Sequence, residues 1–221
     1  MGGELWSRVD DYIGARLVRE DAALSAALAA NAAAGLRSID VSAAQGKFLH
    51  LLVRMSGARR VLEIGTLGGY STIWMATALP DDGELVTLEY EPRHAEVARA
   101  NLERAGVSAK VDIRVGAAAE TLPVLAAQNP APFDFVFIDA DKPSNTIYLD
   151  WAIRLGRPGT VIVLDNVVRD GQLVDAASSD PNVKGSRAAF ELIAANPRLS
   201  ATALQTVGAK GYDGFAIMIL D

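Results

Sequence analysis

The sequence predicts an α/β fold: a mostly parallel sheet with crossover helices, closed by an antiparallel hairpin. Three observations carry this. Between Arg59 and Asn166, short apolar runs alternate with helical patterns, the rhythm of parallel strands joined by crossover helices. The first such run, "RRVLEIG", passes through a glycine-rich turn into a helix. Near the end, "LSATALQTV" and "GFAIMIL" are separated by a segment holding Gly208 and Gly211, which suits a closing hairpin.

The elements follow in order. Leu5, Trp6, Val9, Tyr12, Ile13 and Leu17 recur at helical spacing. "DAALSAALAANAAAGL" is alanine-rich, hence a strong helix former, and stops at Gly35. A third helix is expected to begin at Ser42, because Ser42 to Gln45 matches a capping box and Phe48, Leu49, Leu52 and Met55 follow at helical spacing. Then come strand "RRVLEIG", helix "STIWMATAL", strand "GELVTLEYE" and helix "PRHAEVARANLERAG", which opens on proline and closes on glycine. Strand "KVDIRVG", helix "AETLPVLAAQ", strand "FDFVFID", helix "SNTIYLDWAIRLG" and strand "GTVIVLDN" complete the alternation, and a last helix is expected near "SRAAFELIAAN".

With 221 residues the chain is long enough for one sizeable domain, and no linker or repeat divides it. A single domain over 1–221 is expected, with residues 1–40 as a helical cap or dimerisation segment. Half of the residues are hydrophobic and the net charge is −6 with no basic run, which argues against nucleic acid as a partner. The absence of cysteine excludes disulfides, thiolate metal sites and cysteine nucleophiles. The first twenty residues carry too many charges for a signal peptide, and no apolar run approaches membrane-spanning length. The expectation is a soluble cytoplasmic protein.

Function enters at "VLEIGTLGGYST". Glycines at 65, 68 and 69 stand between a strand and a helix, where a ligand can approach the backbone. The spacing is not that of dinucleotide folds, which would need glycine where Leu67 and Tyr70 stand. Glu63, just before the turn, would repel a pyrophosphate and welcome a cation. Glu89 ends the next strand, 24 residues after Gly65, where an acid grips ribose hydroxyls in nucleoside-binding α/β folds. A ligand with a ribose, no phosphate and a positive charge fits S-adenosylmethionine. A plain strand-to-helix turn would explain the glycines alone, but not Glu63 and Glu89 together.

Two strands end in acid. Asp139 and Asp165 are 26 residues apart with one helix between them, the length of a single right-handed crossover. On neighbouring strands their carboxylates would lie about 5 Å apart and repel unless a proton or cation sat between them. Asn166 adds a neutral oxygen. This all-oxygen set suits Mg²⁺ (with Mn²⁺ or Ca²⁺ as alternatives) better than zinc. His50 and His94 fall inside helical patterns and read as structural. The competing readings are a helix N-cap before Pro143 for Asp139 and Asp141, and a plain turn for Asp165 and Asn166.

"EIGTLGGYS", "FIDADK" and "LDN", in this order and spacing, resemble the cation-dependent O-methyltransferases of the caffeoyl-CoA and catechol type. The resemblance runs from about Val41 to the end, and "VSAAQGKFLHLL" is similar to the family's helix before the first strand. It implies a Rossmann-like S-adenosylmethionine-dependent methyltransferase fold, with a seven-stranded, mostly parallel sheet, an antiparallel last strand and extra N-terminal helices. It implies Asp139, Asp165 and Asn166 as metal ligands. Around the methyl donor it implies Glu63, Gly65, Thr66, Gly69, Ser71, Glu89 and Ala117, with Val41, Asp139 and Asp141 at the edge. Lys142 matches the lysine beside the metal. Plant relatives have a substrate-touching asparagine four positions after the metal asparagine; here Asp170 stands there, which leaves a plant-type CoA ester unsupported as substrate.

The chemistry that follows is methyl transfer to an aromatic vicinal diol, with a homodimer expected. A divalent ion chelating two oxygens lowers the pKa of a phenol. Lys142 is the candidate general base, or stabilises the phenolate by charge; the plain alternative is a solvated surface lysine. The rival enzyme is a metal-independent small-molecule methyltransferase whose acids serve as general base. A nicotinamide-dependent reductase is opposed by the glycine spacing and by the lack of a Tyr-x-x-x-Lys sequence. A protein that holds S-adenosylmethionine without turnover would look the same in sequence.

Overall fold

The computed structural model describes residues 2–19, 21–128 and 130–221. Three helices come first: α1 (Gly2–Leu17), α2 (Ala22–Ala33) and α3 (Ala43–Met55). The alternation then runs β1 (Arg60–Ile64), α4 (Tyr70–Ala76), β2 (Glu84–Glu89), α5 (Pro92–Arg104), β3 (Val111–Val115), α6 (Ala118–Ala127), β4 (Phe133–Ile138), α7 (Asn145–Leu155) and β5 (Gly156–Asp165). Helix α8 (Pro181–Ala195) and the hairpin β6 (Leu199–Gly208) and β7 (Gly211–Leu220) close the chain.

These strands form one seven-stranded sheet in the order β3-β2-β1-β4-β5-β7-β6. Strands β1 to β5 pair in parallel, and β7 runs antiparallel to both β5 and β6. The expected fold class is the observed one. Alternation of side chains along each strand explains the two layers. Leu62, Ile64, Val136 and Ile138 pack with Leu122, Tyr148, Leu149 and Ala189 on one face. Val61, Phe135, Phe137 and Val163 pack with Leu49, Ile73, Trp74 and Leu102 on the other. Strand β4 is apolar almost throughout because both of its faces are covered.

Three boundaries differ from expectation. Helix α8 begins at Pro181 rather than near Ser186, because the Asp180 side chain accepts from the Asn182 backbone N–H and proline fits the first turn. Strand β5 starts three residues early, at Gly156, and β7 starts at Gly211, the tip of the hairpin. The capping box at α3 is half of one. Ser42 Oγ accepts from the Gln45 backbone N–H at 3.2 Å, but the Gln45 side chain goes elsewhere.

Helix α2 reaches the glycine turn. Asn101 Nδ2 donates both to the Gly68 carbonyl at 2.8 Å and to Asn31 Oδ1 at 3.0 Å, while Asn31 Nδ2 donates to Asp40 at 2.8 Å. The N-terminal segment is thereby tied to the turn after β1. No helix among the described residues is long and apolar enough to cross a membrane.

Candidate functional site

The carboxyl ends of β1, β2, β4 and β5 open on one cavity of about 790 Å³, within the range of small-molecule sites. Val41, Gly65, Thr66, Ser71, Glu89, Ala117, Asp139, Asp141, Lys142 and Asn166 all line it. Ten of the residues singled out in the sequence thus share one cavity. The other four sit differently. Glu63 and Asp165 lie just behind the wall, fully or nearly fully buried. Gly69 caps α4 with φ of +83° and packs toward Ala98. Asp170 is exposed and outside the lining, whereas its neighbour Arg169 lines the cavity.

The glycine turn is built for close approach. Gly65 has φ of +100°, and a Cβ there would stand 2.3 Å from the Asp139 carbonyl oxygen. Only glycine lets the ends of β1 and β4 meet this way. Behind the turn, Glu63 accepts from Ser71 Oγ (2.6 Å), Thr72 Oγ1 (2.5 Å) and Thr87 Oγ1 (2.7 Å). Burial pushes its carboxyl up to about 7, the hydroxyls pull it back, and Asp139 raises it further. Glu63 therefore holds the wall together through Ser71 rather than facing the cavity itself.

Glu89 is surrounded by donors. Its Oε2 accepts from the backbone N–H groups of Thr66 (3.2 Å) and Leu67 (2.7 Å). Its Oε1 accepts from the Glu91 N–H (2.9 Å) and lies 3.2 Å from His94 Nδ1. Four partners match the full accepting capacity of a carboxylate. His94 lines the cavity too, a placement that its helical pattern did not indicate. Its position as the third residue of α5 carried no sign of Glu89. His50, by contrast, sits with Nδ1 3.1 Å from the Trp74 carbonyl oxygen in the helical layer.

The acidic strand ends are adjacent. Ile138 pairs with Leu164 across β4 and β5, so Asp139 and Asp165 follow on neighbouring strands about 5 Å apart. Burial, then Asp139, pushes the Asp165 carboxyl up from its ordinary value. Around this pair there is one ammonium: Lys142 Nζ donates to Asp139 Oδ1 at 2.8 Å and is itself buried, which removes the solvated-surface reading. Asp165 receives only neutral donors, the Asn166 N–H at 2.8 Å and Gln45 Nε2 at 2.6 Å. Gln45 is a site residue that the sequence reading missed, because its spacing from Ser42 already satisfied a local motif. Nearby, Tyr148 and Ser144 donate their hydroxyls to Asp141, and burial with that bond raises the Tyr148 phenol.

One buried carboxylate, Asp165, one part-exposed carboxylate, Asp139, one ammonium and the side chain of Asn166 leave an excess of negative charge at the cavity floor. The oxygens are hard donors on adjacent strand ends, and this set fits a hard divalent cation. No group of three or more His, Cys, Asp or Glu that could hold a metal occurs among the described residues, so a cation here draws on the amide of Asn166. That residue is held with φ of +52°.

Fold and cavity define a Rossmann-like methyltransferase, with a nucleoside-type glycine turn on β1 and paired acids on β4 and β5. The chain belongs to the O-methyltransferase family, whose model matches residues 18–213. It is similar to the catechol O-methyltransferase of Niastella koreensis, with 51% identity over 220 residues covering 100% of each chain. Among solved structures it resembles the O-methyltransferase from Bacillus cereus in complex with S-adenosylhomocysteine, at 54% identity and a TM-score of 0.97, covering 99% of each chain. It also resembles TomG from Streptomyces achromogenes, an O-methyltransferase of tomaymycin synthesis in complex with S-adenosylmethionine, at 50% identity and a TM-score of 0.97, covering 100% of this chain and 99% of that one.

Proposed function

We propose that this O-methyltransferase transfers the methyl group of S-adenosylmethionine to one hydroxyl of a catechol-like vicinal diol, with a divalent cation at Asp139, Asp165 and Asn166. The observation that carries the reading is the pair of acids at adjacent strand ends, Asp165 buried and Asp139 on the cavity wall, with an ammonium against Asp139. The catechol name of the Niastella relative and the donor or its product in two similar structures support it.

The residues divide the work. Gly65, Thr66, Ser71 and Ala117 form the wall against which the nucleoside lies, and Glu89 takes the ribose hydroxyls by exchanging them for some of its present donors. Asp141 and Val41 line the same space. Asp139, Asp165 and Asn166 hold the cation, with Gln45 fixing one oxygen of Asp165. Bound there, Mg²⁺ (or Mn²⁺ or Ca²⁺, which take the same oxygens) supplies positive charge that makes the phenol more acidic. Lys142 would accept the hydroxyl proton at Nζ from its neutral amine form, or as the ammonium would hold the phenolate by charge. The oxygen then attacks the sulfonium methyl in line. Holding both reactants at attack distance supplies much of the rate.

The active species is a homodimer joined through α1. Leu5, Val9 and Tyr12 recur along one stripe of that helix and are exposed, as are Leu51 and Met55 of α3, and exposed apolar stripes of this kind are where subunits meet. Sedimentation of the wild type and of Tyr12→Glu tests it: dimer for the first, monomer for the second. A monomeric wild type ends the claim.

The catalytic reading is tested by turnover of catechol after exhaustive EDTA dialysis, with and without added Mg²⁺. Activity should vanish and return. Activity that survives chelation would assign the acids as general base and remove the cation from the scheme.

A further inference from the structure

The loop after β5 is strained at its cavity-facing end. Arg169 and Asp170 have φ of +56° and +55°, followed by Gly171 at +82°. Neither arginine nor aspartate is freed from the steric cost of that region as glycine is, and two in succession persist only where the surroundings over-determine them. What holds them is Asp213, whose Oδ1 accepts from the backbone N–H groups of Val168 (2.9 Å), Arg169 (3.0 Å) and Gly214 (2.9 Å). Asp213 is thus engaged with backbone, and its other oxygen stands 3.8 Å from Arg169 Nη1, a loose ion pair.

The Arg169 side chain is consequently short of partners. Its Nε is buried with no hydrogen-bond partner, its side chain is 31% exposed, and it lines the cavity three residues from Asn166. The other charged groups of the wall are better met. Lys142 pairs with Asp139, Glu89 has four donors, Asp141 has two hydroxyls and Asp40 has the amide of Asn31. Arg37, on the linker between α2 and α3, adds a second guanidinium to the lining. A guanidinium is a planar fork matched to a carboxylate, and it does not lose its charge.

We propose that Arg169 is a specificity-determining residue that selects acceptors carrying a carboxylate, so that the substrate class is an aromatic vicinal diol with an acid group on the ring or on a short side chain. The inference rests on the diol-methylating reading of the same site and narrows it. A neutral diol leaves the charge of the guanidinium unanswered; a carboxylated diol places an anion against its exposed part.

The test compares kcat/KM for 3,4-dihydroxybenzoate and its neutral isostere 3,4-dihydroxybenzamide in the wild type, Arg169→Gln and Arg169→Lys. Taking the acid-to-amide ratio in each protein, and then comparing proteins, cancels the intrinsic reactivity of the two phenols. The ratio should fall about tenfold or more in Arg169→Gln, the usual weight of a charge-assisted hydrogen bond. It should fall by less in Arg169→Lys, which keeps charge but not the fork. Calorimetric titration of 3,4-dihydroxybenzoate gives a second readout, with affinity weakened in the same order. An unchanged ratio with turnover intact overturns the inference while the diol reading stands. No turnover of either diol by the wild type, with Mg²⁺ and S-adenosylmethionine present, overturns the reading and the inference together.

Discussion

The two ends of the cavity are built on opposite principles. At the donor end, the glutamates that close β1 and β2 are answered by protein groups: three hydroxyls for Glu63, and three backbone N–H groups with a histidine for Glu89. At the acceptor end, Asp139 takes the ammonium of Lys142 while Asp165 has neutral donors, a guanidinium keeps an unpartnered nitrogen, and three non-glycine residues hold left-handed φ. The first end is a finished network that a ligand enters by exchange. The second is an unfinished one that a ligand and a cation complete. A satisfied network rigidifies a site, whereas uncompensated charge and strain mark where chemistry is to happen.

The largest expected effect lies at the unfinished end. Asp165→Ala should lower turnover on the order of a thousandfold, since the charge stabilisation of a bound cation amounts to several kcal/mol. Affinity for S-adenosylhomocysteine, read by calorimetry, should change far less. Equal losses in both would erase the division between the two ends.

Lys142→Ala follows, with kcat lower by roughly a hundredfold, the size of a general-base contribution. Lys142→Arg should not restore it, because a guanidinium does not take up the proton. The pH dependence of kcat on catechol in all three proteins decides the role. Near-normal turnover in the arginine variant would mean that charge alone suffices.

At the finished end the effect is moderate and appears in binding. Glu89→Ala should weaken donor affinity by about tenfold to a hundredfold, through loss of a charged acceptor. A dissociation constant equal to that of the wild type would place the ribose elsewhere.

The smallest effect on turnover, yet a distinct one on stability, comes from Glu63. Its carboxyl sits at about 7 in the fold against an ordinary 4.5. The folded protein therefore favours the protonated form. That contribution is fully present below about pH 4.5 and is lost as pH rises through about 7, amounting to roughly 3 kcal/mol at most. Thermal unfolding of the donor-free protein at pH 5 and pH 8 should show this loss in the wild type and a smaller one in Glu63→Gln, where the raised carboxyl of Asp165 remains. Parallel curves would mean that Glu63 is ionised throughout the range.

The same contrast explains what the sequence made legible. Strand ends, the glycine turn and the N-cap at Ser42 are local patterns, and each stands where its period or spacing put it. The acid pair was legible because a single crossover fixes which strands are neighbours. Gln45 was not, since its partner Asp165 lies 120 positions away and its place in a local motif offered a sufficient reason for it. His94 was hidden by helical periodicity, which says which residues share a face but not that the first turn of α5 leans over Glu89. Arg169 and Asp170 were read from a neighbour's position along the chain. The left-handed turn then sends one side chain to the cavity and the other to solvent, a distinction that only backbone angles carry.

The side-chain partners of Glu89 all come from residues 66 to 94, and its strand neighbour is Val115. Those that hold Asp165 come from Gln45 on one side and, through strand pairing, from Phe215 on the other. Removal of β7 would strip β5 of its antiparallel neighbour at Asp165 while every partner of Glu89 stayed in place. Damage to the last ten residues of the sheet, by proteolysis or an early stop codon, therefore falls first on the acid pair and last on Glu89.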